Sequence, residues 1–194
     1  MKSKKFFNAF ILSLFLLPFV LGGGLMRNRE IDEQYIVASL AFGGKDGRVS
    51  VVAETVSVGP NTETSAPRIF SGEGESVTAA VRDLKNEFPR DVFFDHCAVI
   101  VLDGSLDKKT EKAALQFCGE DPTINFAALV VKSADAESLL SCESEYAAVG
   151  YDIKGILKRT DYGDNAKLLR VLQNKGKILD FENRHGVPAR EDLS

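Results

Sequence analysis

Residues 71–84 read Ser-Gly-Glu-Gly-Glu-Ser-Val-Thr-Ala-Ala-Val-Arg-Asp-Leu. Whether the two glycines form a phosphate loop or something plainer decides what kind of domain this is. Val77, Ala80, Val81, Leu84 and Phe88 recur at steps of three and four, the spacing of one helical face. Pro89 then stops the run. The preceding stretch reads as a glycine loop opening that helix. Ser76 or Glu75 stands at its start, where acidic side chains favour the positive end. A P-loop needs a Gly-Lys-Ser/Thr ending, because the lysine reaches the terminal phosphates and the hydroxyl holds magnesium. Nothing of that kind follows Gly74. A dinucleotide loop needs a third glycine where Val77 stands, directly after a strand. Glu73 and Glu75 also put negative charge where a phosphate would sit. The phosphate reading is therefore set aside.

Upstream, residues 34–42 and 48–58 are strand-like runs on either side of the turn cluster Gly43-Gly44-Lys45-Asp46-Gly47, which reads as a hairpin. Residues 59–70 carry Gly59, Pro60, Asn61 and Pro67 and read as an exposed loop. Downstream, residues 92–102 are the most apolar stretch of this part of the chain and are expected to form one central strand. Residues 107–118 read as a helix with Leu106, Ala113, Ala114 and Phe117 inward, and residues 126–131 as a second buried strand. Ser133 is placed to cap a helix over residues 134–140. Two helical patterns follow, at residues 146–158 and 164–175. Residues 181–194 are polar and are expected to be a flexible, fraying tail. Strands joined through a helix run parallel with a right-handed crossover. The fold class is thus α/β (α+β): a mixed β-sheet with an N-terminal antiparallel hairpin and helices packed on it.

The chain has 194 residues, 44% hydrophobic and 27% charged, which suits one globular domain with appendages. Net charge is −4, and outside the first five residues no basic cluster stands out in the sequence, so no nucleic-acid partner is expected. Lys2, Lys4 and Lys5 precede an uncharged apolar run over residues 6–26. A basic start and an apolar run mark an export signal, and the run is also long enough to span a bilayer as a helix of about 20 residues. Residues 1–26 are therefore a signal peptide or a membrane anchor, with the lysines on the cytoplasmic side and the rest of the chain outside. Gly22-Gly23-Gly24-Leu25 stands where a bacterial lipoprotein would carry its cysteine, so no lipid is expected there.

Cys97, Cys118 and Cys142 lack any paired or zinc-ligand spacing and read as small buried hydrophobes. His96 beside Asp95 could suggest acid–base work, but neighbours on a strand point to opposite faces, so a structural histidine is the better reading. Asp103, Asp107, Glu120 and Asp121 do not match a calcium-loop spacing. No residue is assigned to catalysis, to a cofactor or to a metal.

Three boxes in order carry a family resemblance: residues 71–84, residues 88–106 (Phe-Pro-Arg-Asp-Val-Phe-Phe-Asp-His onward) and residues 120–140 (Glu-Asp-Pro-Thr-Ile-Asn-Phe onward). Together they resemble the N-terminal domain of the Ger(x)C spore germination proteins. The matching positions are Gly72, Glu73, Gly74, Glu75, Ser76, Arg82, Pro89, Arg90, Phe93, Phe94, His96, Val99 to Val101, Asp121, Pro122, Val130 and Val131. Arg29-Glu30-Ile31 is similar to the Arg-Glu-Ile that follows the family's lipid-bearing cysteine. The resemblance covers about residues 27–142, and the domain is expected over residues 27–180.

The resemblance implies a non-enzymatic C subunit, or an accessory, of a germinant receptor involved in nutrient-triggered germination. Such a subunit sits on the outer face of the spore's inner membrane beside A and B membrane subunits. This sequence departs from the family pattern in lacking the lipid cysteine and the further C-terminal domains, so a stand-alone or diverged first domain, or a truncated gene product, is expected. The alternative from the residues alone is an extracytoplasmic protein that binds a small ligand through the 59–75 loop and the sheet end.

Overall fold

A computed structural model describes residues 35–57, 67–89, 92–145 and 147–191. The apolar segment 6–26, the charged run 27–33 that follows it (Arg27, Arg29, Glu30, Asp32 and Glu33), Arg90 and most of the 59–70 loop lie outside the described residues. The strands are β1 (Tyr35–Lys45), β2 (Arg48–Ser57), β3 (Arg68–Gly74), β4 (Val92–Phe93), β5 (Val99–Asp103), β6 (Leu129–Ser133), β7 (Leu179–Arg184) and β8 (Val187–Arg190). The helices are α1 (Val77–Glu87), α2 (Lys108–Glu120), α3 (Ala136–Leu140), α4 (Val149–Lys158) and α5 (Leu168–Leu172). The sheet runs β3-β2-β1-β5-β6-β7-β8, with β4 beside β1. β1, β5, β6 and β7 are parallel, and β2, β3 and β8 are antiparallel to their neighbours. This is the mixed α+β sheet expected, with the hairpin at its N-terminal side.

The hairpin turn is only two residues long. Asp46 (φ 50°) and Gly47 (φ 77°) take the left-handed backbone that a tight hairpin turn requires, and Lys45 pairs with Arg48. Gly43 and Gly44 belong to β1 rather than to the turn. A bulge between Val37 and Ser39 resets the alternation of β1. Val37, Leu40 and Phe42 consequently share one face with Val51, Ala53, Ile100, Leu102 and Val130, packed under α1, α2 and the start of α5. Ala41, Val99, Val101, Leu129 and Val131 face the other way, under α3, α4 and Phe181. Both faces of the central strands are covered, which is why their sequences read as continuous apolar runs.

Several expectations are corrected. Residues 68–74 are not loop but edge strand β3, so the last three residues of the expected 59–70 loop and the glycine stretch 71–74 all pair with β2. The apolar run 92–102 is broken into β4 and β5 by a turn in which Cys97 N–H donates to Phe94 C=O at 2.9 Å. Strand β6 starts at Leu129, and Phe126 is largely exposed. The cap of α3 is Asp135, whose carboxylate accepts from Ser138 N–H at 2.8 Å, while Ser133 Oγ bonds within the preceding turn. On α2 the buried residues are Ala114 and Cys118, and Ala113 points to solvent. The segment 181–194, expected to be a fraying tail, carries most of the β7–β8 hairpin up to Arg190. Phe181 is buried in the second core, and Glu143 N–H donates to Gly186 C=O at 2.8 Å. Polarity misled here, because only one face of this hairpin needs apolar side chains.

Candidate interaction surface at the glycine strand

Helix α1 begins where the sequence places it. Ser76 Oγ accepts from Ala79 N–H at 3.2 Å, and Val77, Ala80, Val81 and Leu84 are buried. What the helix lies on explains the two glycines. A Cβ on Gly72 would stand 2.2 Å from Leu84 N and 2.6 Å from Ala80 O; one on Gly74 would stand 2.5 Å from Ala80 N. Residues two apart on a strand share a face, so Gly72 and Gly74 form a bare track on which the helix backbone rests. Their open sides are filled by the helix, leaving no room for a phosphate between them.

Glu73 points the other way along β3, and its N–H donates to Asp83 Oδ2 of α1 at 2.9 Å. Its carboxylate pairs with Arg48 of β2 at 3.5 Å, both side chains about half exposed. Glu73, Gly74, Glu75 and Arg82 line one open cleft of about 370 Å³ together with Arg48 and Asp83. The cleft carries both signs of charge on three regular elements, β2, β3 and α1. Such a surface selects a partner with a complementary pattern and orients it, more than it adds raw affinity.

The other family positions gather at the far end of α1. Lys85 lies 5.0 Å from the centre of the Phe94 ring and 3.8 Å from Asp121 Oδ2. Asp121 caps the end of α2, and its Oδ1 accepts from Thr123 N–H at 2.9 Å and Thr123 Oγ1 at 2.5 Å. Pro122 follows in that turn, and Pro89 ends α1. One helix thus ties the glycine box to the phenylalanine and Asp-Pro boxes. His96 lies in the turn between β4 and β5, with its Nε2 3.7 Å from Asp95 Oδ2 and its side chain 64% exposed. The expectation that Asp95 and His96 point to opposite faces fails, because they occupy a turn rather than a strand. His96 does not line the cleft.

Sequence reasoning missed a buried polar node. Glu54 of β2 is fully buried; its Oε1 accepts from Val149 N–H at 2.6 Å, and its Oε2 accepts from Ser39 Oγ at 2.6 Å and Gly150 N–H at 3.1 Å. The carboxyl group therefore caps the start of α4 from the sheet face on which that helix lies. Burial pushes the Glu54 pKa above its usual value, the hydrogen bonds oppose that, and nearby Asp152 raises it further. Gly150 is needed because a Cβ there would lie 2.2 Å from Ser39 Oγ. The available signal was a lone acid on the same side of β2 as Val52 and Val56. The three cysteines are buried and unbridged, and burial pushes the Cys97 thiol up to about 12 and the Cys142 thiol up to about 11.

The fold and this surface define a small α+β domain that presents a charged face on an edge strand and one helix. The sequence model of the family described as the spore germination protein N-terminal domain matches residues 27–174. The chain belongs to this family, the N-terminal domain of the Ger(x)C spore germination proteins, and its role lies in spore germination. No curated protein matches the chain. No solved structure matches it either.

Proposed function

We propose that the protein is a membrane-associated, non-enzymatic subunit or accessory of a germinant receptor, acting by contact with A and B membrane subunits. The observation that carries this reading is the convergence of Glu73, Glu75 and Arg82 on one exposed charged cleft, on a domain whose family belongs to spore germination. Gly72, Gly74, Ser76, Pro89, Asp121 and Pro122 build and brace the helix that presents it; Arg90 and His96 are assigned a structural or interaction role, His96 outside the cleft. The apolar run 6–26 is the anchor, holding the domain on the outer face of the cytoplasmic membrane without a lipid. Tethering in the partner's own membrane raises effective concentration, so a small interface suffices.

The test is twofold. Deleting the gene is expected to slow the spore's response to specific nutrients, and the tagged chain is expected to co-purify with an A or B subunit from membranes. Arg82→Glu is expected to weaken that co-purification without unfolding the protein. Normal germination with every nutrient, together with no A or B subunit recovered, would leave the small-ligand-binding reading ahead.

A further inference from the structure

β1, β5 and β6 are parallel and in register, Ser39 beside Val99 and Val99 beside Leu129, so their N-terminal ends lie at the same end of the sheet. The chain enters the described domain at that end, at Tyr35. Phe126, three residues ahead of β6, is 48% exposed there, and Leu169, whose N–H donates to Phe126 C=O at 3.2 Å, is 45% exposed. Two of the domain's large exposed apolar side chains are therefore neighbours. Beside them a pocket of about 550 Å³ is lined by Lys154, Lys158 and Lys167 together with Ala127 and Leu129. Asp161 and Asp164 line it too; Asp164 and Lys167 pair at 2.6 Å and offset each other, which leaves Lys154 and Lys158 as the remaining basic side chains beside Asp161. In a chain of net charge −4, this end joins basic side chains to exposed apolar ones.

That combination is what an interfacial surface needs: apolar side chains to enter the headgroup boundary and lysines to meet anionic lipid. Position along the chain agrees. Only residues 27–34 separate the apolar run from β1, a span of at most about 30 Å when fully extended. Resting on the anchoring proposed above, we infer that this end of the domain, through Phe126, Leu169, Lys154 and Lys158, lies against an anionic bilayer surface. The domain is then oriented rather than swinging on its tether, and the charged cleft at the β3 edge keeps a fixed bearing toward membrane partners.

The chain has no tryptophan, so a single introduced one is a clean reporter. The full chain carrying Leu169→Trp, and separately Phe126→Trp, is reconstituted into vesicles of phosphatidylcholine with or without phosphatidylglycerol. Val187→Trp serves as the control; Val187 is 54% exposed and opens β8 at the opposite end of the sheet. In anionic vesicles the Leu169→Trp emission is expected to shift to the blue and to be quenched by brominated lipid several-fold more than that of Val187→Trp. Adding Lys154→Glu with Lys158→Glu, or added salt, is expected to remove most of the excess. Protein that floats with the vesicles but shows equal quenching at residues 126, 169 and 187 overturns the orientation and leaves the anchor standing. Protein that fails to float overturns the anchor and the orientation together. Strong quenching at residue 169 alongside failed co-purification with A or B subunits overturns only the receptor role.

Discussion

Replacing Gly72 by alanine tests how the family's glycine box works. The added methyl would stand 2.2 Å from Leu84 N, 2.6 Å from Ala80 O and 2.6 Å from Leu84 Cα, all backbone atoms that no rotamer change can move. Helix α1 must retreat by about 1 Å, which a close-packed interior does not give without losing contacts. If the helix and strand share the shift, the cost is that of ordinary overpacking, about 1–3 kcal/mol. If α1 lifts off, Val77, Val81 and Leu84 lose their burial at about 1.5–3 kcal/mol each, or roughly 5–9 kcal/mol. The larger figure rivals the whole stability of a domain, about 5–15 kcal/mol. The expected loss is about 3 kcal/mol, a fall in Tm of roughly 6–12 °C for a domain of this size. Far-UV circular dichroism melts of the detergent-solubilised full chain provide the assay. Gly47→Ala is the comparison: Gly47 has φ 77° and nothing within 4 Å of its absent Cβ, so it bears only backbone strain of about 1–2 kcal/mol. If Gly72→Ala melts no lower than Gly47→Ala, the helix is not seated on the glycine track and the reasoning fails.

Gly155 lies inside α4 with nothing within 4 Å of its absent Cβ, so Gly155→Ala is expected to raise stability by about 0.5–1 kcal/mol, read as a higher melting temperature. Glu54 has a folded-state pKa raised above 4.5, chiefly by burial, so its contribution to stability is full below 4.5 and is lost as pH climbs through the raised value. Denaturant midpoints of the wild type, compared with Glu54→Gln, are therefore expected to fall as pH rises from about 4.5, and parallel profiles would contradict this. Cys97 and Cys118 are buried, with thiols pushed well above the usual range, so a maleimide at neutral pH is expected to label them only after denaturation. Rapid modification of either in the folded chain would show that its core opens. Arg82→Glu, at the exposed cleft, is expected to change stability by no more than about 0.5 kcal/mol while reducing capture of the membrane subunits.

Local pattern was enough wherever one short-range signal dominated. The three-and-four spacing from Val77 to Phe88, the cap at Ser76 and the stop at Pro89 determined α1, and the Asp-Gly turn determined the β1–β2 hairpin. The order of boxes was enough to place the family. Tertiary contacts decided the rest. Ser-Gly-Glu-Gly carries no alternating apolar signal, so nothing local marks it as a strand; it becomes one because the backbone of α1 needs a surface without side chains. Residues 92–102 look like one apolar strand because Phe94, Cys97 and Ala98 are buried even in the turn that breaks the run. The C-terminal hairpin looks like a polar tail because its strands lie toward the sheet's edge, where only Leu179, just ahead of the polar segment, and Phe181 reach into the hydrophobic core. Glu54 shows the same division. Its position along β2 was legible as an alternation, but two of the three donors to its carboxyl group come from Val149 and Gly150, far along the chain. Only the folded sheet and α4 together could bring them to it.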